Sequence, residues 1–325
     1  MMISIAMATY NGEKFLRTQL DSILSQTYND IELIICDDNS TDSTRHILQE
    51  YEKKDSRIKL YFNKNNLGFL KNFEKAITLC TGDYIALSDQ DDIWETTKLE
   101  HLLQNIGNND FICSNSMLID ENGNSKNITM KDTCNYHWIP KSQDAFFKRI
   151  LFSNIVQGST MLAKSDFLKS CSSVPAEIEF HDYWFAFNAC AKNGFAYLDE
   201  CTIRYRQHSK NVTTNEKKYF KDELKKNNFT QDKYKTLCEF NQKYVIRYEI
   251  LLKTIDFSEK QKTFIRKAIR YQTELKNKTL YTFLFFLANC KYIYLDNNVI
   301  RNSLRIFKRF LGLIYWKLIE RRKVI

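Results

Sequence analysis

Residues 84–94 read YIALSDQDDIW and join a short apolar stretch to three carboxylates. The first five of these residues form an apolar run of the length that is typical of a buried strand. Asp89, Asp91 and Asp92 follow where that strand ends, and their mutual repulsion is costly unless a cation neutralises it. Because closely spaced oxygen ligands suit Mg²⁺ or Mn²⁺, the segment predicts a divalent cation site at the end of a strand.

Four apolar stretches alternate with three segments of helical periodicity in the first ninety or so residues. This β-α-β-α-β-α-β order predicts an α/β fold with a doubly wound, mostly parallel sheet. Ligands bind such sheets beyond the carboxyl ends of the strands. Polar clusters at 9–11, 37–38 and 89–92 should therefore converge on one edge, which favours a cation site over a solvated acidic loop. The predicted strands are 2–8, 31–36, 57–62 and 84–88, and the predicted helices are 13–25, 41–54 and 69–80.

The following hundred residues are predicted to mix short strands with helices. Strands are predicted at 111–113, 157–162, 196–198 and 203–206, with a hairpin turn at 122–124 and a helix at 182–192.

The composition fits a globular protein and excludes several classes. The chain has 325 residues, of which 43% are hydrophobic and 14% aromatic, so it can bury a substantial core. Two prolines and eight glycines exclude collagen-like and low-complexity chains. Nine scattered cysteines without a C-x-x-C pair, and an N-terminus without a basic segment before its apolar stretch, favour a cytoplasmic protein over a secreted one.

Charge is distributed unevenly along the chain, whose net charge is +9. Residues 1–100 carry a net charge of −6, residues 101–210 are neutral, and residues 211–325 carry +15. The acidic N-terminal region is therefore predicted to bind a cation, and the basic C-terminal region is predicted to contact an anionic surface. Nucleic acid is not the expected partner, because the front half is acidic and no nucleic-acid-binding module is visible.

Five ordered sequence segments identify a family. Together, and at compatible spacings, they resemble the nucleotide-binding half of family-2 glycosyltransferases with the GT-A fold. The resemblance continues to about residue 213, and it implies a GT-A catalytic domain over 1–215, divided into a nucleotide-binding half (1–104) and an acceptor half (105–215). The segments are ATYNG at 8–12, SILSQTY at 22–28, CDDNSTD at 36–42, NLG at 66–68 and SDQDDIW at 88–94, followed by HDYW at 181–184 and YRQHSKNVT at 205–213.

The resemblance implies how a metal, Mn²⁺ or Mg²⁺, is held. Asp91 is the expected direct ligand, with Asp92 as the alternative, and Asp89 lies nearer the donor sugar or ribose. His208 resembles a late histidine that some members use as a further ligand. Its alternative interpretation is a surface histidine in a loop.

The resemblance also implies the nucleotide contacts. Thr9, Tyr10 and Asn11 line the nucleotide pocket. Asp38 accepts a hydrogen bond from the pyrimidine base. Asp37 is the alternative, because the sequence does not fix which of the two adjacent aspartates aligns with the family position.

Asp182 is the predicted general base. Displacement at an anomeric carbon needs a carboxylate that removes the proton of the attacking hydroxyl, and the family position of Asp182 favours this role. An aspartate at the start of a helix also acts as an N-cap, so both roles remain open. Trp184 offers a stacking face to an acceptor sugar or, equally, packs in the core.

The C-terminal third is predicted to be a helical, basic extension over 216–325, with a boundary near 212–216. Residues 217–278 lack proline and glycine and favour long helices. Residues 301–314 place basic and apolar side chains on opposite faces of a helix, which is typical of a helix lying in a lipid interface. The alternative is a terminal helix docked on the catalytic domain.

The sequence thus predicts an inverting glycosyltransferase that takes a sugar from a nucleotide-sugar donor to a lipid-linked saccharide acceptor. The resemblance implies O-antigen, capsule or cell-wall polysaccharide synthesis at the inner face of the cell membrane, on an anionic membrane surface. The DQDDIW and HDYW forms resemble a subset that includes rhamnosyltransferases, so dTDP-L-rhamnose is the favoured donor and a UDP-hexose the next. The alternatives are a nucleotidyltransferase, whose glycine-rich basic loop residues 8–12 lack, and an inactive glycan- or lipid-binding scaffold.

Overall fold

The first hundred residues form the doubly wound unit that the sequence predicts. The computed structural model describes residues 1–133, 140, 142–152, 154–209, 211, 231–274 and 280–293. In its N-terminal part, strands and helices alternate strictly along the chain. The elements are β1 (Ile3–Thr9), α1 (Leu16–Leu24), β2 (Ile31–Asp37), α2 (Thr44–Glu52), β3 (Ile58–Phe62), α3 (Phe69–Leu79) and β4 (Tyr84–Ser88).

The strands of this unit are parallel and bring their carboxyl ends to one edge. The sheet order is β3-β2-β1-β4, and Thr9 at the end of β1 lies opposite Asp37 at the end of β2. On the other side of β1, Met7 lies opposite Ser88, the last residue of β4. The three polar segments that follow these strands are therefore neighbours in space.

Alternation along each strand divides the core between the two faces of the sheet. Leu33 and Ile35 belong to one hydrophobic cluster, and Ile34 and Cys36 belong to the other. Successive strand side chains point to opposite faces, so a continuous apolar run fits a strand that is covered on both sides.

The second half extends the sheet with mixed pairing. β8 is antiparallel to both β4 and β6, whereas β6 is parallel to β9, and the full order is β3-β2-β1-β4-β8-β6-β9-β5 with β7 paired to β6. The elements are β5 (Ile93–Trp94), α4 (Lys98–Ile106), β6 (Phe111–Ile119), β7 (Ser125–Thr129), α5 (Met130–Thr133), α6 (Gln143–Phe152), β8 (Met161–Lys164), α7 (Ser165–Ser170), α8 (His181–Ala191) and β9 (Phe195–Arg206).

Local predictions for this half are confirmed in part. The turn at 122–124 joins β6 to β7, with Gly123 at a φ of 90° that glycine adopts without strain. The strand predicted at 157–162 is wrong in its first half, because Gly158–Thr160 forms a 3-10 helix and the N–H of Thr160 donates to the carbonyl of Gln157. The two strands predicted at 196–198 and 203–206 are one strand, β9, whose register against β6 shifts midway.

The C-terminal helices that the structure describes pack against the α/β domain. They are α9 (Gln231–Thr254), α10 (Glu259–Glu274) and α11 (Leu280–Ile293). Tyr248, Phe257 and Phe286 share one hydrophobic core with Phe147 of α6 and Phe187 of α8. The boundary predicted at 212–216 and the amphipathic segment 301–314 both lie outside the described residues. No helix within the described ranges has the length and apolar character needed to cross a membrane.

Candidate functional site

The acidic segment after β4 is fastened to the end of β1 by the side chain of Gln90. The N–H of Tyr10 donates to Gln90 Oε1 at 2.8 Å, and Gln90 Nε2 donates to the Tyr10 carbonyl at 2.9 Å. A Cβ at residue 12 would collide with this carboxamide, so Gly12 is required by the clamp. The two-way amide pairing fixes where Asp89 and Asp91, on either side of Gln90, stand relative to β1.

A second clamp comes from the end of β9. The backbone N–H of Arg206 donates to Asp92 Oδ1 at 3.0 Å, and its Nε donates to the carbonyl of Asp91 at 2.8 Å. The guanidinium lies 4.7 Å from the ring centroid of Phe15, and the whole residue is buried. Arg206 therefore holds the backbone of the acidic segment and leaves the carboxylate of Asp91 available for other contacts.

Asp91 and His208 form a close pair of potential metal ligands. Asp91 Oδ2 and His208 Nε2 are 2.7 Å apart, and their side chains retain 18% and 9% exposure. Two neighbouring ligands of an octahedral ion, at bond lengths of about 2.1 Å, lie about 3 Å apart, so the pair fits a shared divalent cation. Mg²⁺ and similar ions take one or two protein carboxylates and complete their shell with water and substrate phosphates.

Asp92 does not join this pair. Its carboxylate is fully buried, with Oδ1 accepting from Arg206 and Oδ2 without a hydrogen-bond partner among the described residues. Within those residues no group of three His, Cys, Asp or Glu side chains stands close enough to hold a metal. The structure thus leaves Asp91 with His208 as the candidate ligands, and the predicted metal role of Asp92 is corrected to a buried structural one.

Asp182 lies within electrostatic reach of the acidic segment. Burial, together with the charges of Asp91 and Asp182, raises the pKa of Asp89 to about 7. Burial also raises the pKa of Asp92 well above the ordinary value, and the charges of Asp91 and Asp89 add to the effect. The carboxylates that follow β4 and the carboxylate of Asp182 in α8 therefore lie near enough to repel one another, which is the environment that favours a bound cation.

The carboxylate of Asp182 is held in the first turn of α8. Its Oδ1 accepts from Asn154 Nδ2 at 3.1 Å and from the N–H of Tyr183 at 2.6 Å. Burial raises the pKa of Asp182 to about 6, although these hydrogen bonds act in the opposite direction. The cap position of α8 is occupied by Phe180, so Asp182 is not the N-cap residue. A carboxyl with a pKa near 6 suits a general base at neutral pH.

Two of the three residues predicted to line the nucleotide pocket have side chains engaged within the loops. Thr9 Oγ1 donates to Asp37 Oδ2 at 3.2 Å, and Asn11, at a φ of 48°, accepts from the N–H of Thr41 at 2.8 Å. Tyr10 is 48% exposed, and only its backbone is engaged by the Gln90 side chain. Thr9 and Asn11 therefore shape the loop, and Tyr10 has the free surface.

The two aspartates at the end of β2 have different surroundings. Asp37 is saturated, because it accepts from Thr9, from Ser40 and from Arg45 Nε at 2.8 Å. Asp38 accepts from the N–H groups of Leu67 and Gly68 at 2.7 and 2.9 Å and from Asn63 at 2.8 Å. Only one of these contacts is to Asp38 Oδ2, so Asp38 rather than Asp37 keeps a position for a further donor.

Trp184 packs in the core rather than in the site. It is 5% exposed and belongs to the larger hydrophobic cluster, and its Nε1 donates to the carbonyl of Cys171 at 2.7 Å. A ring that is covered on both faces has no surface for an acceptor sugar, so the stacking prediction is corrected to a structural role.

The sequence matches the family model "Glycosyl transferase family 2" over residues 4–169, about half of the chain. The chain belongs to this family. The matched residues include β1 from its second residue, β2 to β4 and the whole acidic segment, and they end in α7. Membership agrees with the resemblance carried by the sequence segments.

Curated relatives of this family-2 glycosyltransferase include enzymes with named donors. The chain is 32% identical over 215 residues to dTDP-rhamnosyl transferase RfbG of Shigella flexneri, which covers 63% of this chain and 72% of the relative. It is 37% identical over 123 residues to UDP-Glc:alpha-D-GlcNAc-diphosphoundecaprenol beta-1,3-glucosyltransferase WfgD of Escherichia coli, covering 37% of this chain and 48% of the relative.

Solved structures confirm the GT-A fold. Staphylococcus aureus TarS, in complex with UDP-GlcNAc, aligns with a TM-score of 0.56 at 19% identity over 84% of this chain and 73% of that one. The mannosyltransferase PcManGT of Pyrobaculum calidifontis, in complex with GDP-Man and Mn²⁺, aligns with a TM-score of 0.53 at 12% identity over 94% of this chain and 83% of that one. At these identities the alignments establish the fold of this chain alone.

Proposed function

We propose that this family-2 glycosyltransferase moves a sugar from a nucleotide-diphosphate donor to a saccharide acceptor with inversion at the anomeric carbon. The observation that carries the proposal is that Asp182 of α8 lies near enough to Asp89 for its charge, with that of Asp91, to raise the pKa of Asp89, in the acidic segment that follows β4 at the carboxyl edge of the sheet. Ligands bind open α/β sheets at this edge. The single candidate base, Asp182, favours one displacement, which inverts the configuration.

A divalent cation fits this site, and Asp91 and His208 would hold it. When bound, Mn²⁺ or Mg²⁺ neutralises the charge that develops on the departing diphosphate. The Mn²⁺ in the PcManGT complex supports this choice of ion. Metal dependence is therefore part of the proposal for this chain.

The chain's own residues divide the remaining work. Tyr10 and Asp38, with Thr9 and Asn11 shaping their loop, hold the nucleoside, and Asp38 accepts from the base. Asp89 contacts the donor sugar or ribose. Asp182 takes the proton of the acceptor hydroxyl as that oxygen attacks the anomeric carbon, so its ionised form is the active one.

The relatives support a choice of substrates. Similarity to RfbG supports dTDP-L-rhamnose as the donor, and similarity to WfgD supports a UDP-hexose as the next candidate. The diphosphoundecaprenol in the name of WfgD supports a lipid-linked acceptor and a place in surface polysaccharide synthesis. Within this proposal, residues 1–215 are the catalytic domain and residues 216–325 its helical extension.

A panel of nucleotide sugars tests the donor directly. In the presence of Mn²⁺, dTDP-L-rhamnose or a UDP-hexose at about 100 times its Kd should stabilise the fold by about 2.7 kcal/mol. That corresponds to a rise of roughly 5 °C in Tm for a chain of this size. GDP- and ADP-sugars serve as the matched controls. A chain that no nucleotide sugar stabilises, with or without Mn²⁺, would contradict the proposed function.

The extension is proposed to rest on the anionic inner face of the cell membrane. α11 leaves Leu280, Leu284 and Leu287 exposed by 59%, 54% and 42%, and their spacing of four and three residues places them on one face of the helix. The basic charge of residues 211–325 is complementary to acidic lipid headgroups. An apolar face beside a basic segment is the composition of a peripheral membrane contact.

Flotation with vesicles measures this contact. The full chain should float with vesicles that contain anionic lipid, because the basic tail adds roughly 1 kcal/mol of attraction for each Lys or Arg near the surface. A chain ending near residue 295 should lose most of that binding, and a full chain with Leu284→Gln and Leu287→Gln should lose part of it. Equal flotation of all three proteins, or equal binding to neutral vesicles, would contradict membrane attachment through the extension.

A further inference from the structure

Asn154, in the loop between α6 and the 3-10 helix Gly158–Thr160, is hydrogen-bonded to the predicted general base. Its Nδ2 donates to Asp182 Oδ1 at 3.1 Å, and its Oδ1 accepts from the N–H of Val156 at 3.0 Å. One carboxamide can serve a carboxylate and a backbone N–H only in this orientation, because only its nitrogen donates and only its oxygen accepts. The contact with Val156 therefore fixes which end of the amide faces Asp182.

The loop that carries Asn154 is anchored in the hydrophobic core. Val156 is buried and belongs to the larger hydrophobic cluster. Two positions further on, Gly158 lies against His181, whose Nε2 would be 2.7 Å from a Cβ at this position. An asparagine that accepts from the N–H two residues ahead forms an Asx-turn, which holds its own side chain in place. Asn154 therefore presents its amide to Asp182 from a support that the core holds.

The hydrogen bonds of Asp182 are distributed unequally between its two oxygens. Oδ1 accepts from Asn154 and from the N–H of Tyr183, at 3.1 and 2.6 Å. The bond from Tyr183 comes from the next residue in the same helix, whereas the bond from Asn154 comes from a separate element. Asn154 is thus the contact that fixes the carboxylate relative to the rest of the domain. Oδ2 is the less engaged oxygen of a half-buried side chain, and it is the one available to a proton.

The neighbouring His181 does not share this task. Both of its ring nitrogens are buried without a hydrogen-bond partner among the described residues, and the ring packs on Phe73 with a centroid distance of 4.6 Å. Burial lowers the pKa of His181 to about 4, so the ring is neutral at pH 6 and above. Within the described part of the chain, Asn154 supplies the only side-chain hydrogen bond that Asp182 accepts.

We propose that Asn154 is a positioning residue, whose amide holds the Asp182 carboxylate so that Oδ2 faces the attacking oxygen. A hydroxyl, or water when no acceptor is present, attacks the anomeric carbon while the bond from that carbon to the diphosphate breaks. The proton of the attacking oxygen passes to Oδ2. Asn154 does not touch the reacting atoms, and the proposal rests on the function proposed above, since Asn154 acts only through Asp182.

Asn154→Asp in the full chain tests this role. Aspartate keeps the size of the side chain and the acceptor for the N–H of Val156, so the loop should hold. It removes the donor to Asp182 and places a second carboxylate beside the first. Hydrolysis of dTDP-L-rhamnose or UDP-glucose with Mn²⁺, whichever the wild type cleaves faster, should slow about a hundredfold at pH 7. Asn154→Ala, which removes the donor without adding a charge, should slow it about tenfold, with the KM of the donor nearly unchanged in both.

Asn188→Ala is the matched control. Asn188 is also half-buried, and its Nδ2 donates at 2.9 Å to the carbonyl of Trp184 in the same helix as Asp182. Its replacement removes a comparable hydrogen bond, so Tm should fall about as much as in Asn154→Ala, while kcat stays at the wild-type value. If kcat falls equally in the two alanine variants, the loss is structural and the proposal is overturned.

The pH profile is a readout that a merely structural role would not move. Burial raises the pKa of Asp182 to about 6, and the hydrogen bond from Asn154 acts in the opposite direction. Without this donor the pKa should rise further, so the acidic limb of the rate profile should move to higher pH, by about half a unit in Asn154→Ala and about one unit in Asn154→Asp. The other titratable groups beside Asp182, namely Asp89, Cys113 and His181, are present in every variant. An acidic limb at the wild-type pH in both variants would overturn the proposal.

The two proposals fail in distinguishable ways. If the wild type hydrolyses neither nucleotide sugar with Mn²⁺, the proposed function fails. Carbon-13 NMR titration of the Asp182 carboxyl in the ligand-free chain then still decides the contact: a higher pKa in both Asn154 variants supports it, and an unchanged pKa overturns it. If the wild type is active and both variants match it in rate and in pH profile, only the role of Asn154 fails. Failure of both variants to fold, with Asn188→Ala folded, would assign Asn154 to the stability of the loop and overturn the proposal.

Discussion

Replacing Asp182 with asparagine should slow sugar transfer by about 10² to 10⁴-fold, the usual contribution of a general base. Asparagine keeps the shape of the side chain and the hydrogen bonds to Asn154 and to the N–H of Tyr183, but it cannot take a proton. The affinity for the donor should stay nearly unchanged, because the role proposed for Asp182 is removal of a proton from the acceptor. Steady-state kinetics and donor titration of the same preparation measure both quantities.

Asp166→Asn is the matched control, because Asp166 also stands in the first turn of a helix and is exposed in α7. It should leave the transfer rate unchanged. The pH profile gives a second readout, since the pKa of Asp182 is raised to about 6 and only its ionised form accepts a proton. The wild-type rate should therefore rise as pH increases through about 6. Loss of donor binding in Asp182→Asn would assign this residue to the donor and not to the acceptor.

Replacing Asp91 with alanine should remove Mn²⁺-dependent donor binding. The carboxylate is one of two candidate ligands, and its partner His208 alone holds a divalent ion much more weakly. Calorimetric titration should show at least about a hundredfold loss of affinity for the donor with Mn²⁺, which corresponds to about 2.7 kcal/mol. His208→Gln, which retains the carboxylate, should show a smaller loss.

Asp30→Ala is the control for this substitution, because Asp30 is exposed and remote from the acidic segment in the sheet. It should bind the donor as the wild type does. Unchanged donor affinity in Asp91→Ala would remove this residue from the metal site and leave the pairing with His208 as a structural contact.

The sequence predicts the part of the fold that local patterns encode. Period and length of the apolar runs identify β1 to β4, and the polar clusters that end them predict the edge at which the site lies. Parallel pairing then brings Thr9 beside Asp37 without further information. The same reasoning predicts that Asp89 and Asp91 lie at this edge too. They follow β4, which runs parallel to β1.

The contacts that fix the site join residues far apart in the chain, and no local pattern signals them. Gln90 pairs with Tyr10 across 80 positions, and Arg206 binds the acidic segment across more than a hundred. A glycine at position 12 indicates that another group comes close to the backbone there, but the sequence does not identify that group as Gln90. The complete burial of Lys98 at the start of α4 is not predicted by the sequence either, because a lysine at the start of a helix is ordinarily solvated.

Two residues that the sequence assigns to the site have structural roles instead, because their side chains are buried. Trp184 and Asp92 stand beside residues of the site in the chain, yet helix and loop geometry turn their side chains into the interior. The described helices of the extension show the same limit. Their apolar residues fit either a membrane or a domain surface by composition. Packing places Tyr248 and Phe286 in the hydrophobic core shared with α6 and α8, while α11 keeps three leucines exposed.

The most direct test of the account is an anomalous diffraction experiment on crystals grown with Mn²⁺ and the nucleoside diphosphate of the preferred donor. The account predicts one manganese peak about 2 Å from the carboxylate of Asp91 and in contact with the diphosphate, with His208 beside it and Asp182 facing the same space. A manganese ion bound with the nucleotide away from the acidic segment, or an Asp182 carboxylate turned to the opposite side of the molecule, would contradict it.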